Sequence, residues 1–309
     1  MLQAIESREL ITLDRFGPVV QGTYHRPNDG DSASGNKKRI GVLFLNSLSL
    51  PRAATGDSSV YWADRFAASG YPCFRIDLPG LGDSDGELPQ DLLGFINSGG
   101  FESAAAQKAR EIAETFNLSG VILLGHCAGA VSALLAAAKC RECKGLILLD
   151  VYFHLPQAVR PAIRRKMSDW ALKCRLGRLA SNVYHQLREI RLRMRGNRLP
   201  ENANFPLIKC WKELAPTGLP ILILKAPARR AMGAKARTGE FDYLEHVLKI
   251  AGPRSQVTVK FAEGTDHSFA NRLGRKAVEQ HTEDWLKSNF PLIGRRLSSE
   301  LATLESSGD

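Results

Sequence analysis

The chain has 309 residues, 44% hydrophobic and 24% charged, with a formal net charge of +10. These proportions are ordinary for a soluble globular protein of one large or two small domains, long enough to bury a substantial core. No apolar run approaches the ~20 residues that cross a bilayer, and the six cysteines (Cys73, Cys127, Cys140, Cys143, Cys174, Cys210) are too sparse for a disulfide framework.

In chain order, Glu9 to Asp14 and Val19 to His25 read as an opening pair of strands. Asp29 to Gly35 is a loop. Ile40 to Asn46 (IGVLFLN) is an apolar strand of the kind covered on both faces. A helix over Ser58 to Ser69 and a strand over Tyr71 to Asp77 follow, then a helix over Phe101 to Phe116. Val121 to Gly125 is strand and Val131 to Ala138 is helix. Gly145 to Asp150 (GLILLD) is another strand. Leu219 to Lys225 resumes the sheet, Glu240 to Ile250 is helical, Gln256 to Phe261 is the last strand and Asn271 to Ser288 the last helix. The polar tail Ser298 to Asp309 is expected to fray. Strands alternating with helices predict an α/β fold, with a mostly parallel sheet covered by helices on both faces. The amino-terminal sequence carries acids and no apolar core, so a secretory signal is not expected and a reducing cytoplasm is the expected location.

The run Val121-Ile-Leu-Leu-Gly125-His126-Cys127-Ala128-Gly129-Ala130 carries the most chemistry. An apolar strand enters Gly-x-Cys-x-Gly and an alanine-rich helix leaves it, the context of a nucleophile elbow with cysteine at the turn. Gly125 and Gly129 are the small residues that such a turn requires. A helix N-terminus beneath Cys127 favours the thiolate, the reactive form. The bland alternative is a buried cysteine in an ordinary strand–turn–helix unit. Cys140-Arg-Glu-Cys143 has no second pair, so it is read as a helix end carrying two thiols, and no metal or cofactor is expected.

A thiol nucleophile needs a base, and the base an orienting acid. His267 is the best base, in the loop Glu263-Gly-Thr-Asp-His267-Ser-Phe between the last strand and the last helix. His25 lies on an early strand, and His246 and His281 fall mid-helix on solvated faces. His126 should point away from its neighbour Cys127. His154 and His185 fall where they could touch substrate. For the acid, the stretch after Lys225 (Ala226-Pro-Ala-Arg-Arg-Ala-Met-Gly) has no carboxylate. Glu240 and Asp242 come later, with Asp242 the alternative acid. Asp150 ends an apolar strand in register with the elbow; a helix cap or anchor is its bland reading. The oxyanion hole needs two backbone donors, the N–H of Ala128 and one from Ser47 or Leu48 after the IGVLFLN strand. Asp77-Leu-Pro-Gly80-Leu-Gly82-Asp83-Ser84 is glycine-rich but lacks the Lys-Ser/Thr ending of a phosphate loop, and is expected to shape the floor of the site.

Taken together, these residues resemble the α/β-hydrolase superfamily over nearly the whole chain. The order nucleophile (Cys127), acid (Asp150), lid, base (His267) is that superfamily's order, and the loop DLPGLGDSDG resembles its counterpart. GHCAGA followed by LLDVY is most similar to the thioesterase domains of polyketide and fatty-acid assembly lines, where the elbow reads Gly-His-Ser-x-Gly and an acid follows the next strand. The resemblance raises Asp150 above Asp242. The departure is cysteine for serine, which other superfamily members such as dienelactone hydrolases also show. The expected activity is cysteine-dependent acyl-enzyme chemistry on a thioester, ending in hydrolysis or transfer to an amine or alcohol. A cysteine hydrolase of a small ester, lactone or amide is the alternative, and an inactive hydrolase-fold binding protein the second.

The charge is concentrated. Residues 151–218 contain fourteen basic and four acidic residues, while the remainder contains 28 of each. Arg188, Arg191, Arg195 and Arg198 share one helical face there. The segment interrupts the strand–helix alternation at the carboxyl edge of the sheet, where such folds bind ligands. It is read as a basic helical lid between core segments 1–150 and 219–309. Coenzyme A and acyl-carrier proteins, both acidic, are the partners such a lid would attract. Trp170, Tyr184 and Trp211 lie among the basic residues without a nucleic-acid motif, and no nucleic-acid or membrane partner is expected.

Overall fold

The computed structural model describes residues 7–28, 38–155, 199–227 and 241–292. Eight strands form one sheet: β1 (Arg8–Leu13), β2 (Val20–His25), β3 (Ile40–Leu45), β4 (Cys73–Ile76), β5 (Gly120–His126), β6 (Cys143–Leu149), β7 (Pro220–Lys225) and β8 (Gln256–Phe261). Their spatial order is β1-β2-β4-β3-β5-β6-β7-β8. The pairs β1–β2 and β2–β4 are antiparallel and all the others parallel.

The apolar runs exist because both faces of the central strands are covered. Leu43, Leu123, Leu146, Leu148, Ile221 and Ile223 face one core, with α3 (Glu102–Thr115), α4 (Ala128–Ala137), α5 (Phe205–Leu214) and α6 (Tyr243–Ile250). Val42, Phe44, Ile122, Leu124, Ile147, Leu149, Leu222 and Leu224 face the other, with α1 (Ser58–Ala68) and α7 (Arg272–Asn289). All ten residues of α4 are buried, which explains why it is apolar all round rather than amphipathic. A short helix, α2 (Leu92–Asn97), stands where the sequence pattern gave no element; Asp91 caps it, accepting from the Gly94 N–H at 2.8 Å.

Of the segment expected to form a lid, residues 156–198 lie outside the described residues, as do Trp170, Tyr184, His185 and the arginine face. The described end of the segment packs inward. Leu207, Ile208, Cys210 and Trp211 of α5 are buried in the core, and the Trp211 indole N–H donates to the Val247 carbonyl at 2.7 Å. No helix among the described residues is long and apolar enough to cross a membrane.

The strands that bracket the elbow end at one edge. His126 pairs with Leu149, so Cys127 and Asp150 leave neighbouring parallel strands at the same level. The loops after β3, β4, β7 and β8 emerge at that edge too, where open α/β sheets place their ligands.

Candidate active site

Between β5 and α4 only Cys127 makes the turn, at φ 54 and ψ −114. This left-handed backbone is strained for a non-glycine residue. The turn is held on both sides. The Cys127 N–H donates to the Leu149 carbonyl at 2.8 Å, and its own carbonyl accepts from Ala130 at 3.1 Å. The two glycines are sterically required. A Cβ on Gly125 would sit 2.1 Å from the Gly129 carbonyl oxygen, and one on Gly129 would sit 2.5 Å from the Asn46 carbonyl oxygen. The second approach also brings the loop after β3 against the first turn of α4, whose N–H groups have no intrahelical acceptor. Ala128 opens that turn, Ser47 is buried beside it, and Leu48 has φ 51.

Asp150 also takes a left-handed conformation, φ 48, with its N–H donating to the Leu224 carbonyl at 2.7 Å. Its Oδ2 accepts from His267 Nδ1, and the same imidazole has Cys127 as its neighbour. Asp150 Oδ1 pairs with the Lys225 ammonium at 2.5 Å, and Lys225 also donates to the Val151 carbonyl at 3.0 Å. Three residues from three separate loops, 117 positions apart at the acid–base contact, thus form one chain of contacts. Asp242 does not join it. It caps α6, accepting from the Glu245 N–H at 2.9 Å. Glu240 lies outside the described residues.

The electrostatics follow from these contacts. The Asp150 hydrogen bond, helped by the neighbouring Cys127, raises the His267 pKa to about 10 against partial burial. Burial opposes ionisation of Asp150, but the His267 hydrogen bond and the Lys225 charge together hold its pKa below normal. The other described cysteines are poor nucleophiles. Burial pushes Cys140 up to about 11 and Cys143 and Cys210 up to about 12, and it raises Cys73 as well.

His126 turns to the His267 loop. Its Nε2 lies 2.6 Å from the His267 carbonyl oxygen, and its ring meets those of His267 and Phe269 at 5.0 and 5.7 Å. Donation to a carbonyl requires an N–H on that nitrogen. Burial lowers the His126 pKa to about 4, so it stays neutral beside His267. The elbow predicts that His126 points away from Cys127 but does not give its partner on a loop 141 residues later.

The glycine-rich loop wraps a carboxylate. Asp77 is fully buried, and a Cβ on Gly82 would fall 2.3 Å from its carboxyl. Asp77 Oδ1 accepts from Asn46 Nδ2 at 2.9 Å and from the Arg52 N–H at 2.6 Å, and Oδ2 from the Arg52 guanidinium. Asn46 Oδ1 in turn accepts from the Leu78 N–H at 2.7 Å. This network fixes the Asn46–Arg52 loop that carries Ser47 and Leu48. It was hidden because Asn46 and Arg52 have no motif of their own. A second buried polar chain approaches from the other side: Asn204 Nδ2 donates to Asn97 Oδ1 at 2.8 Å, and Asn97 Nδ2 donates to the Tyr152 hydroxyl at 3.3 Å. His154 packs between Tyr152 and Tyr243, at ring distances of 5.8 and 5.5 Å. His25 is buried in a structural pair with Asp64, at 2.8 Å, and accepts from Arg75. Beside the acid, a cavity of about 580 Å³ is lined by Asp150, Lys225, Asp242, Phe261, Asp266 and His267.

A family model described as alpha/beta hydrolase fold matches residues 46–205, just over half the chain. The chain belongs to the α/β-hydrolase fold family. Solved structures agree with the fold along its length. The structure of the DcsB complex with its substrate analogue superposes with a TM-score of 0.58 at 15% identity, covering 92% of this chain and 99% of that one. The Pyrococcus furiosus esterase Pf2001 gives 0.54 at 10% identity, covering 91% of each chain. Mouse alpha/beta hydrolase domain-containing protein 10 gives 0.53 at 15%, covering 91% of this chain and 99% of that one. No curated protein matches the sequence. At such identities the likeness speaks for the fold alone.

Proposed function

We propose that this hydrolase-fold chain is an acyl-transferring enzyme with Cys127 as nucleophile, His267 as acid–base and Asp150 as orienting acid, acting on thioesters. The observation that carries this reading is one imidazole that hydrogen-bonds Asp150 and lies next to Cys127 on a strained elbow. A raised His267 favours a thiolate–imidazolium pair. Cys127 Sγ attacks the thioester carbonyl, and the carbon–sulfur bond to the carrier breaks. The His267 imidazolium protonates the departing thiolate. Water, an amine or an alcohol then attacks the acyl-cysteine and gives its proton to His267. The Cys127 thiolate leaves, and the ion pair is restored. The Ala128 and Ser47 N–H groups, with Leu48 as the alternative to Ser47, would hold the developing oxyanion.

Cysteine suits this substrate. Exchange between two sulfurs is nearly isoenergetic, so the acyl-enzyme keeps the activation of the thioester for the acceptor.

Intact-protein mass spectrometry with acyl thioesters of coenzyme A and of a carrier protein tests the reading. An acyl adduct on the wild type that is absent in Cys127→Ala is the expected result. Its decay with and without amines and alcohols separates hydrolysis from transfer. Turnover of simple esters with no thioester adduct would instead favour the small-ester hydrolase, and silence toward every donor an inactive binding protein.

The basic segment 151–218 is proposed to dock the acidic carrier or coenzyme A. Changing Arg188, Arg191 and Arg195 to Gln is expected to lower kcat/KM for a carrier-bound substrate about 10-fold at low salt and to flatten its salt dependence. Unchanged values on both counts would remove the docking role.

A further inference from the structure

In this sheet the strand after the acid ends in a cation. Lys225 closes β7, and the stretch after it contains no carboxylate up to residue 233. Its side chain reaches back to the acid on β6. The ammonium lies 2.5 Å from Asp150 Oδ1 and 3.0 Å from the Val151 carbonyl, leaving Oδ2 to His267. Lys225 is 22% exposed and Asp150 13%, so water screens the pair only partly. The backbone fixes the arrangement too, because the Lys225 carbonyl accepts from Ala262 at 2.9 Å at the start of the His267 loop.

We propose that Lys225 is a positioning residue that fixes the Asp150 carboxylate through Oδ1 and, by partly neutralising it, limits how strongly the acid holds the His267 imidazolium. The inference rests on the reading of Cys127, His267 and Asp150 as a working set. Its physical content is a balance of two opposite effects. Orientation by Lys225 strengthens the Asp150–His267 contact, while its positive charge, on the same carboxylate, weakens the field at the imidazole. A base gripped too tightly by its acid would not give up its proton to a departing thiolate.

The other groups facing this cluster are Cys127 on the elbow, neutral His126 on β5, and Asp242 and Asp266 across the cavity. Asp242 is engaged at the cap of α6, and Asp266 accepts from the Ser268 N–H at 2.9 Å and its hydroxyl at 2.6 Å. Among the described residues, Lys225 is the cation that, beside His267 itself, pairs directly with the Asp150 carboxylate.

The test is the titration midpoint of the His267 imidazole by NMR of histidine-labelled protein. It is measured in the Cys127→Ala background so that no thiolate adds to the shift. Lys225→Met is expected to raise the midpoint by about one pH unit or more, and Lys225→Arg to leave it in place. A midpoint that is unchanged or lower in Lys225→Met would overturn the proposal, since a purely structural lysine would release the carboxylate from His267. Should Lys225→Met fail to fold, Lys225→Gln removes the same charge with a hydrogen-bonding end and carries the same expectation. The measurement needs no substrate. Absence of acylation in the mass-spectrometry experiment together with a raised midpoint here would sink the functional reading and leave this inference standing.

Discussion

Cys127→Ala is expected to lower kcat/KM toward thioesters by about 10⁴-fold or more, to the level left by binding and oxyanion contacts alone. The loss would come without unfolding. Alanine keeps the Cβ that the turn already accommodates at φ 54 and removes one sulfur from a half-buried position. Circular dichroism and melting temperature should therefore stay close to wild type while the acyl adduct disappears. Cys127→Ser is the sharper variant. Serine fits the same elbow, but its hydroxyl is a weak nucleophile at its own pKa and depends on full proton removal by His267. A thiolate–imidazolium pair predicts at least a 100-fold fall for serine. Serine activity equal to wild type would mean that sulfur is dispensable here and that the thioester argument is wrong. Iodoacetamide should label Cys127 ahead of Cys73, Cys140, Cys143 and Cys210, whose thiols burial holds protonated.

Asp150→Asn is expected to lower kcat/KM by roughly 100-fold or more, and Asp242→Asn to leave it near wild type. The two changes remove the same charge, so their difference isolates geometry. Asparagine at position 242 still caps α6 through its side-chain oxygen. Asparagine at position 150 removes the negative partner of His267 and leaves Lys225 without its counter-charge. The pH dependence has a fixed sign. In the wild type His267 is raised to about 10, chiefly by the Asp150 hydrogen bond. Stability from that interaction is fully present below the unfolded histidine value near 6.5 and is lost as pH rises through about 10. Asp150 is depressed, so its share is present above the unfolded carboxylate value and is lost as pH falls through the folded one. Asp150→Asn should pull the alkaline limb of the Cys127 alkylation profile down toward neutral pH, the direction opposite to that expected for Lys225→Met. An unmoved limb would place the acid elsewhere.

Much of this was legible in the chain. Each central strand was visible because burial on both faces demands an unbroken apolar run, as in IGVLFLN and LPILILK. The elbow was visible because close approach of strand, turn and helix admits only glycine at positions 125 and 129. His267 stood out because a histidine in a short loop at the carboxyl edge has no core to fill. Asp150 stood out by register, since β5 and β6 are parallel and their ends are level.

What the tertiary structure alone decided depends on contacts between residues far apart in sequence. Local pattern set Asp150 against Asp242 without deciding which meets His267; the geometry gives that contact to Asp150 and a helix cap to Asp242. Lys225, His126, Asn46 and Arg52 are ordinary residues at the ends of strands or in loops. Their partners, Asp150, the His267 carbonyl and Asp77, lie 25 to 141 positions away. The basic segment 151–218 ends in α5, whose Trp211 and Leu207 pack against the core, because a helix's burial is set by what the sheet leaves uncovered. Periodicity and steric demand are written locally and can be read from the sequence. Hydrogen-bond partnership between separate loops is set by how the strands stack side by side, and only the folded sheet supplies it.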